Sequence, residues 1–529
     1  MKETFRESMT WLHTWAGVTI GAMLFAIFWM GTLTVFDKEV DRWMMPETRV
    51  ASTAQADLNL DQFMQILEAD NADRTMERAY IGFPKERRPY ISTYINYKDG
   101  EYSNTRYRAD TLEALPEEQS HGGSGFFFPF HFRLHLTWNN LGYWLVGFSG
   151  LAMLVLLVSG VIIHRKIFVD FFLFRAKKNI RRSSLDLHNI TGVLALPFHL
   201  FITVTGLIIF GTWYIALPWL VAENFGVKTA DLYDHADAYG QYERESTEDI
   251  GQRVSMNGLV EQAEAIWTER YGEVTKADSL RLFHVGTAQE YVTVRRVFPS
   301  RRVEMALDYT TFDTISGEVL QDEQSSGIRR ASAWLSGLHF IQFDHWVLRW
   351  LYFVGGLFGC VLIATGFIFW MAARKKKGAE TQPLKIRFVE ALTIGAVTGM
   401  ILSTAFFMVI NRVLPATEYI GEHFRADLEA LAFFIIWIVT FAHAAFRGSR
   451  AWKEQCFGIA LLAALAPVLN AVTTGDHLFK TLLNGNWAVA GVDLVLLSSA
   501  AFAGYICVRM SKKKEAGKSM PVQQLSPAE

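Results

Sequence analysis

Apolar residues gather into eight runs near bilayer-crossing length, at 11–36, 141–163, 190–217, 346–373, 388–410, 428–446, 456–472 and 487–508. Each predicts a transmembrane helix, the seventh being the shortest. Two long polar stretches, about 37–130 and 218–338, interrupt the series, and in them the pattern shortens. In the first, "DLNLDQFMQILEA" has helical spacing and precedes "PYISTYINYKDGEYSNTRYR", two alternating runs around Asp99-Gly100 that read as a β-hairpin. In the second, "MNGLVEQAEAIWTERY" reads as an amphipathic helix, followed by strand-like "QEYVTVRRVF" and "RVEMALDYTTFDTISGEVL", with a turn at Ser316-Gly317. The plan of helix, large polar module, helix therefore occurs twice.

The fold class expected is a mainly α integral membrane protein of about eight transmembrane helices with two external α+β modules. Its divisions fall at 1–36 (first helix), 37–137 (first module), 138–217 (second and third helices), 218–338 (second module), 339–375 (fourth helix), 376–510 (a four-helix extension) and 511–529 (tail). The first run is too long for a signal peptide and no small-residue cleavage site precedes the acidic "FDKEVDRWMMP", so it is expected to remain as an anchor.

Charge sets the orientation. Seven Lys/Arg lie between Arg165 and Arg182, six in 374–387, three in 447–453 and five after Val508, while the intervening short loops are poorer in positive charge. The basic sides are cytoplasmic, which puts both termini in the cytoplasm and both polar modules outside, in the periplasm of a bacterium. The net charge of −2 argues against a nucleic-acid binder. Three cysteines, Cys360, Cys456 and Cys507, all in apolar runs without CxxC spacing, support neither a disulfide framework nor a thiolate metal site.

The fourteen histidines carry the candidate chemistry. His13, His164 and His188 fall at the cytoplasmic ends of the first three runs; His131, His135, His339 and His345 fall at the external ends of the second and fourth. Counting from the basic anchors, His135 is 30 residues before Arg165 and His345 is 29 before Arg374; His131 is 34 and His339 is 35 before the same residues. If the helices run unbroken at about 1.5 Å per residue, two layers of imidazoles result, one near each face. His199 lies eleven residues after His188, close to three helical turns, so both rings are expected on one face with His199 near mid-membrane. Haem iron takes two imidazoles from different helices, and two such haems, one per layer, give a path across the bilayer. A terminal imidazole also sits comfortably at an interface without any metal, and His199 has an alternative in a hydrogen bond involving Thr203 or Thr205.

Other chemistries fit less well. HFRLH (131–135) lacks the Glu that a zinc-protease HExxH requires, and no dinucleotide or P-loop motif appears. The electron donor must then come from outside the chain, as a membrane quinol or a cytoplasmic reductase. The basic loop 165–182 is available to dock an acidic partner or lipid headgroups, or serves topology alone. Glu390, Glu429 and Asp493 are the intramembrane carboxylates open to proton coupling; as interfacial charges they need no such role.

The segment "WLHTWAGVTIGAMLFAIFWMGTLTVFDKEVDRWMMP", with "DLHNITGVLALP" and "LSGLHF", resembles the PepSY-associated transmembrane helix family over roughly residues 1–375. "TTFDTISGEVL" is similar to the end of a PepSY domain, which makes the two external modules PepSY-like. The resemblance implies a bacterial inner-membrane protein of iron acquisition, with b-type haem and reduction of ferric siderophores at the periplasmic face. It points to His13 and His188 for the inner haem and His135 and His339 for the outer. His164 and His199 depart from that pattern and stand for a third haem or another ligand set. Two expectations follow. One is a ferric-chelate reductase carrying electrons across the membrane, aromatic "GGSGFFFPFHF" shielding the outer haem or forming an interfacial belt. The other is a haem-free transporter or assembly scaffold whose modules bind a ligand.

Overall fold

A computed structural model describes residues 3–50, 58–164, 175, 179–214, 252–296, 303, 308–324, 327–378 and 383–518. Most of the basic loop 165–182 and the start of the second polar stretch lie outside them.

The chain divides into two compact units. The first comprises residues 1–46, 118–200 and 353–529 and is helical. Its elements are α1 (Glu3–Thr34), α2 (Asp37–Met44), α4 (Gly122–Arg133), α5 (Leu141–Ile163), α6 (Ile180–Leu194) and the start of α7 (Leu196–Tyr214). After them come most of α10 (Trp346–Gly378), then α11 (Pro383–Ile394), α12 (Met400–Val413), α13 (Arg425–Arg447), α14 (Ala451–Thr474), α15 (Leu478–Leu483) and α16 (Trp487–Lys518). The second unit, 47–117 and 201–352, holds α3 (Leu60–Asp70), β1 (Met76–Gly82), β2 (Tyr90–Tyr97), β3 (Tyr102–Arg108), α8 (Met256–Tyr271), β4 (Ala277–Phe283), β5 (Tyr291–Arg296), β6 (Tyr309–Asp313), β7 (Val319–Glu323) and α9 (Gly327–Phe340).

Among the described residues six stretches are long and apolar enough to cross a membrane, and the pair α6–α7, bent by 64°, is a seventh if it crosses as one. One of the six, Arg425–Thr474, consists of α13 and α14 joined by the 3-10 turn Gly448–Arg450. The protein is a multi-pass membrane protein.

The third apolar run is not one straight helix. Pro197 has no backbone N–H to give and its ring crowds the carbonyl four residues back, so the chain breaks between Leu194 and Leu196. His188 and His199 therefore sit on different helices, which overturns the expectation of one shared face. The depth count on the outer side fails for a similar reason. Leu134, His135, Asn139 and Asn140 all have positive φ, between 45° and 57°, so α4 and α5 are separate helices and no single axis connects His131 to Arg165. Ile341 breaks the second case, with φ 55° between α9 and α10.

The two polar stretches form one sheet. Its order is β3-β2-β1-β4-β5-β6-β7, all pairs antiparallel, and β1 pairs with β4 from Arg78↔Phe283 to Gly82↔Ser279. The two modules expected are thus halves of one seven-stranded sheet, with α3 beside one half and α8 beside the other, and their apolar residues share a core that includes Phe63, Ile81, Trp267, Leu280, Val292 and Phe312. The hairpin at Asp99-Gly100 is present, Gly100 taking φ 88°, and Gly317 takes φ 75° before β7. β1 and β4 were not anticipated. Six of the seven residues of β4 are buried, so it lacks the two-sided alternation that marks a half-exposed strand.

Candidate functional site

A cavity of about 390 Å³ lies between α1, α5, α6 and α10 in the first unit, and His13, His164 and His188 line it. Its walls are mostly apolar, with small residues at the tightest points. His13 and His188 meet across it with ring centroids 6.4 Å apart and planes at 87°. Two imidazole nitrogens each about 2 Å from a shared metal put their ring centroids roughly 6 to 6.5 Å apart, so the pair has the separation that an axial ligand pair requires.

Hydrogen bonds fix which nitrogen of each ring is available. The hydroxyl of Ser159 donates to the Val155 carbonyl (2.7 Å), so toward His13 Nδ1, 3.0 Å away, it accepts; Nδ1 carries the proton. His188 Nδ1 donates to the Leu362 carbonyl at 2.8 Å. In both rings the lone pair is left on Nε2, the tautomer of a metal-binding histidine whose other nitrogen is held by a fixed acceptor. Each ring also brings its Nδ1–Cε1 edge close to a glycine: a Cβ on Gly160 would stand 3.3 Å from His13 Cε1, and one on Gly366 3.2 Å from His188 Cε1.

The same arrangement recurs twice, once in each unit. In the first, His131 Nδ1 donates to the Ile27 carbonyl at 2.9 Å, and its ring fills the space above Gly31, where a Cβ would come within 2.6 Å. In the second, His339 Nδ1 lies 3.0 Å from the Thr205 hydroxyl, which donates to the Phe201 carbonyl, and the ring covers Gly206. The four cases form a repeat. Two histidines use a hydroxyl with the glycine next to it (Ser159-Gly160, Thr205-Gly206); two use a carbonyl with the glycine one turn on (Leu362 and Gly366, Ile27 and Gly31). Burial draws the pKa of His131 below the ordinary histidine value, the Ile27 hydrogen bond opposing it.

The remaining candidates differ. His135 turns its Nε2 to the Phe126 carbonyl (2.8 Å) and stacks on the Phe126 ring at 4.8 Å. His199, fully buried, points Nε2 at the Gly355 carbonyl at 3.3 Å, not at Thr203 or Thr205, and packs edge-on against Phe28. In both, Nε2 is spent on a carbonyl, the opposite tautomer from the other four. Nδ1 of His345 accepts the Leu348 backbone N–H at 3.3 Å, a helix-capping role at the start of α10. His164 ends α5 and reaches the cavity, with a buried Nδ1 that has no hydrogen-bond partner. His131 and His339 thus share one local dressing, and His135 does not have it. Unread in the sequence were Ser159 and the four glycines, while Thr205, named there as a partner for His199, meets His339 instead; the signal for Ser159 was a hydroxyl residue directly before Gly inside an apolar run.

The later carboxylates are buried and hydrogen-bonded. Glu429, fully buried, accepts from Arg425 (2.5 Å), from Asn411 (2.8 Å) and from Ser120 (2.5 Å). Asp493 accepts the Trp43 indole N–H at 2.7 Å, and Glu390 accepts the Ser449 hydroxyl at 2.7 Å. The aromatic segment 122–132 is helix α4, its Phe126, Phe127 and Phe130 fully buried among Phe407 and Phe433.

Residues 10–373 match the family described as the PepSY-associated TM region. Uncharacterized protein PA4219 of Pseudomonas aeruginosa is 24% identical over 373 residues, a stretch covering 68% of this chain and 88% of that protein.

Proposed function

We propose a function from one premise: the chain belongs to the family of PepSY-associated TM regions. It is an inner-membrane b-type haem protein that carries electrons across the bilayer and reduces ferric chelates of the siderophore type outside. The observation that carries this reading is the pair His13 and His188, 6.4 Å apart, each with Nδ1 anchored and Nε2 left to bind a metal. His131 and His339 each carry the same local dressing, and His131 is proposed as a haem ligand of the first unit in place of His135. When bound, haem supplies a one-electron carrier whose potential the protein sets.

The chain's own contribution is positional. Ser159, Thr205 and the carbonyls of Leu362 and Ile27 hold four imidazoles in one tautomer and orientation. The glycines let each ring approach its neighbouring helix, and the apolar cavity wall keeps water away. Held by both His13 and His188, the group would serve one-electron transfer rather than oxygen binding. The substrate is Fe(III) held by hard oxygen ligands; reduction weakens that chelate and frees the iron without breaking the chelator. The donor is external, a quinol or a cytoplasmic reductase. In this reading α13 and α14 are two crossings and α6–α7 one, for eight spans with both termini cytoplasmic and the sheet periplasmic.

The test is a reduced-minus-oxidised spectrum of the protein purified in detergent, with a pyridine haemochrome count. The expected result is a sharp low-spin b-type band at about two haems per chain, reduced in His13→Ala and in His188→Ala and lost on reoxidation by a ferric hydroxamate. A colourless protein would sink the reading in favour of a transporter or scaffold.

A further inference from the structure

One end of the His13–His188 cavity is polar, and the two ligands do not use it. Among the described residues His164 Nδ1, buried, has no hydrogen-bond partner, and neither has the buried indole Nε1 of Trp370 on α10. Arg374, one turn beyond Trp370, also lines the cavity; its guanidinium carbon lies 4.0 Å from the centre of the Trp370 ring. Among the described residues no carboxylate pairs with it.

These groups have one chemistry in common. An indole N–H and a guanidinium donate and never accept, and the imidazole Nδ1 donates in one of its tautomers. Buried donors without acceptors are rare in folded proteins unless a ligand or ion completes them. The rest of the lining, apart from Thr10, Thr14, Asn189 and the two ligand histidines, is apolar, so the complementary ligand has a largely apolar body with strong acceptors along one edge. A carboxylate is the anion that best matches a guanidinium fork flanked by a second N–H.

We propose that His164, Trp370 and Arg374 form a carboxylate-binding edge that takes the acid groups of the macrocycle held by His13 and His188. The inference rests on the haem reading and assigns His164 a role other than ligation. Stacking on Trp370 holds the Arg374 guanidinium beside the cavity, and the Trp370 N–H orients the anion.

The experiment uses the full-length protein purified in detergent from haem-deficient cells and titrated with haem b or with its dimethyl ester, binding being read from the absorption band. The esters cannot accept a charge-assisted bond. The expected result is at least tenfold tighter binding of the free acid in the unaltered protein. Arg374→Gln is expected to lose most of that preference by weakening the free acid alone, Trp370→Phe to lose part of it, and Arg374→Lys to restore some. Binding of the ester serves as the control for folding. Equal affinity for acid and ester in the unaltered protein, or variants that weaken both alike, overturns the carboxylate edge while leaving the haem reading intact. Failure of both to bind overturns the two together.

Discussion

Two parts of the first unit bury polar groups in apolar surroundings, and they treat them in opposite ways. In the C-terminal helices the carboxylates are matched on the spot: Glu429 has three donors, Asp493 has Trp43, and Glu390 has Ser449. In the His13–His188 cavity His164 Nδ1 and Trp370 Nε1 have no hydrogen-bond partner among the described residues, while Nδ1 of His13 and of His188 is tied to the protein. The difference separates a structural polar cluster, whose groups complete one another, from a binding site, whose groups await something. It also argues against a proton conduit through those three carboxylates, since each is already engaged.

The largest break in this contrast comes from the matched side. Glu429→Ala leaves the Arg425 guanidinium buried without its counter-charge, an expected loss of about 3–5 kcal/mol in thermal or denaturant stability. The same variant should keep its absorption band at permissive temperature, because Glu429 is not among the residues lining the His13–His188 cavity. Ser159→Ala sharpens the other side. It removes the acceptor that fixes the His13 tautomer, and haem affinity is expected to fall roughly 10–100-fold while the melting temperature moves little. Trp43→Phe removes the donor to Asp493 and should cost about 1–3 kcal/mol of stability, again without spectral change. The smallest effect separates the two candidate outer histidines: His135→Ala is expected to leave the band intact, whereas His131→Ala diminishes it. A spectrum lost in His135→Ala and kept in His131→Ala would reverse that assignment.

Sequence pattern was strongest where local physics decides. Runs of apolar residues marked the membrane segments because a spanning helix needs little beyond length and hydrophobicity. Asp99-Gly100 and Ser316-Gly317 marked turns because only a residue free of a Cβ enters φ > 0 cheaply. The helix at Met256–Tyr271 was legible to its ends, where Ser255 caps the N-terminus and Gly272 the C-terminus. His13 and His188 were legible as candidates because a polar ring at the end of an apolar run asks for a partner.

What the sequence did not hold was pairing. The antiparallel match of β1 with β4, about two hundred residues apart, joins two modules into one sheet, and no local pattern encodes it. Residue counting along an axis failed where Pro197 bends one helix pair and where positive φ at Leu134 and His135 ends α4. Tautomers, too, belong to the tertiary structure: His131 and His135 are four residues apart, yet one turns Nδ1 to Ile27 of another helix and the other turns Nε2 to its own chain. The sequence by itself determined which residues carry donors, acceptors and apolar surface; which of those groups are spent on one another, and which are left facing a cavity, depended on contacts between segments far apart in the chain.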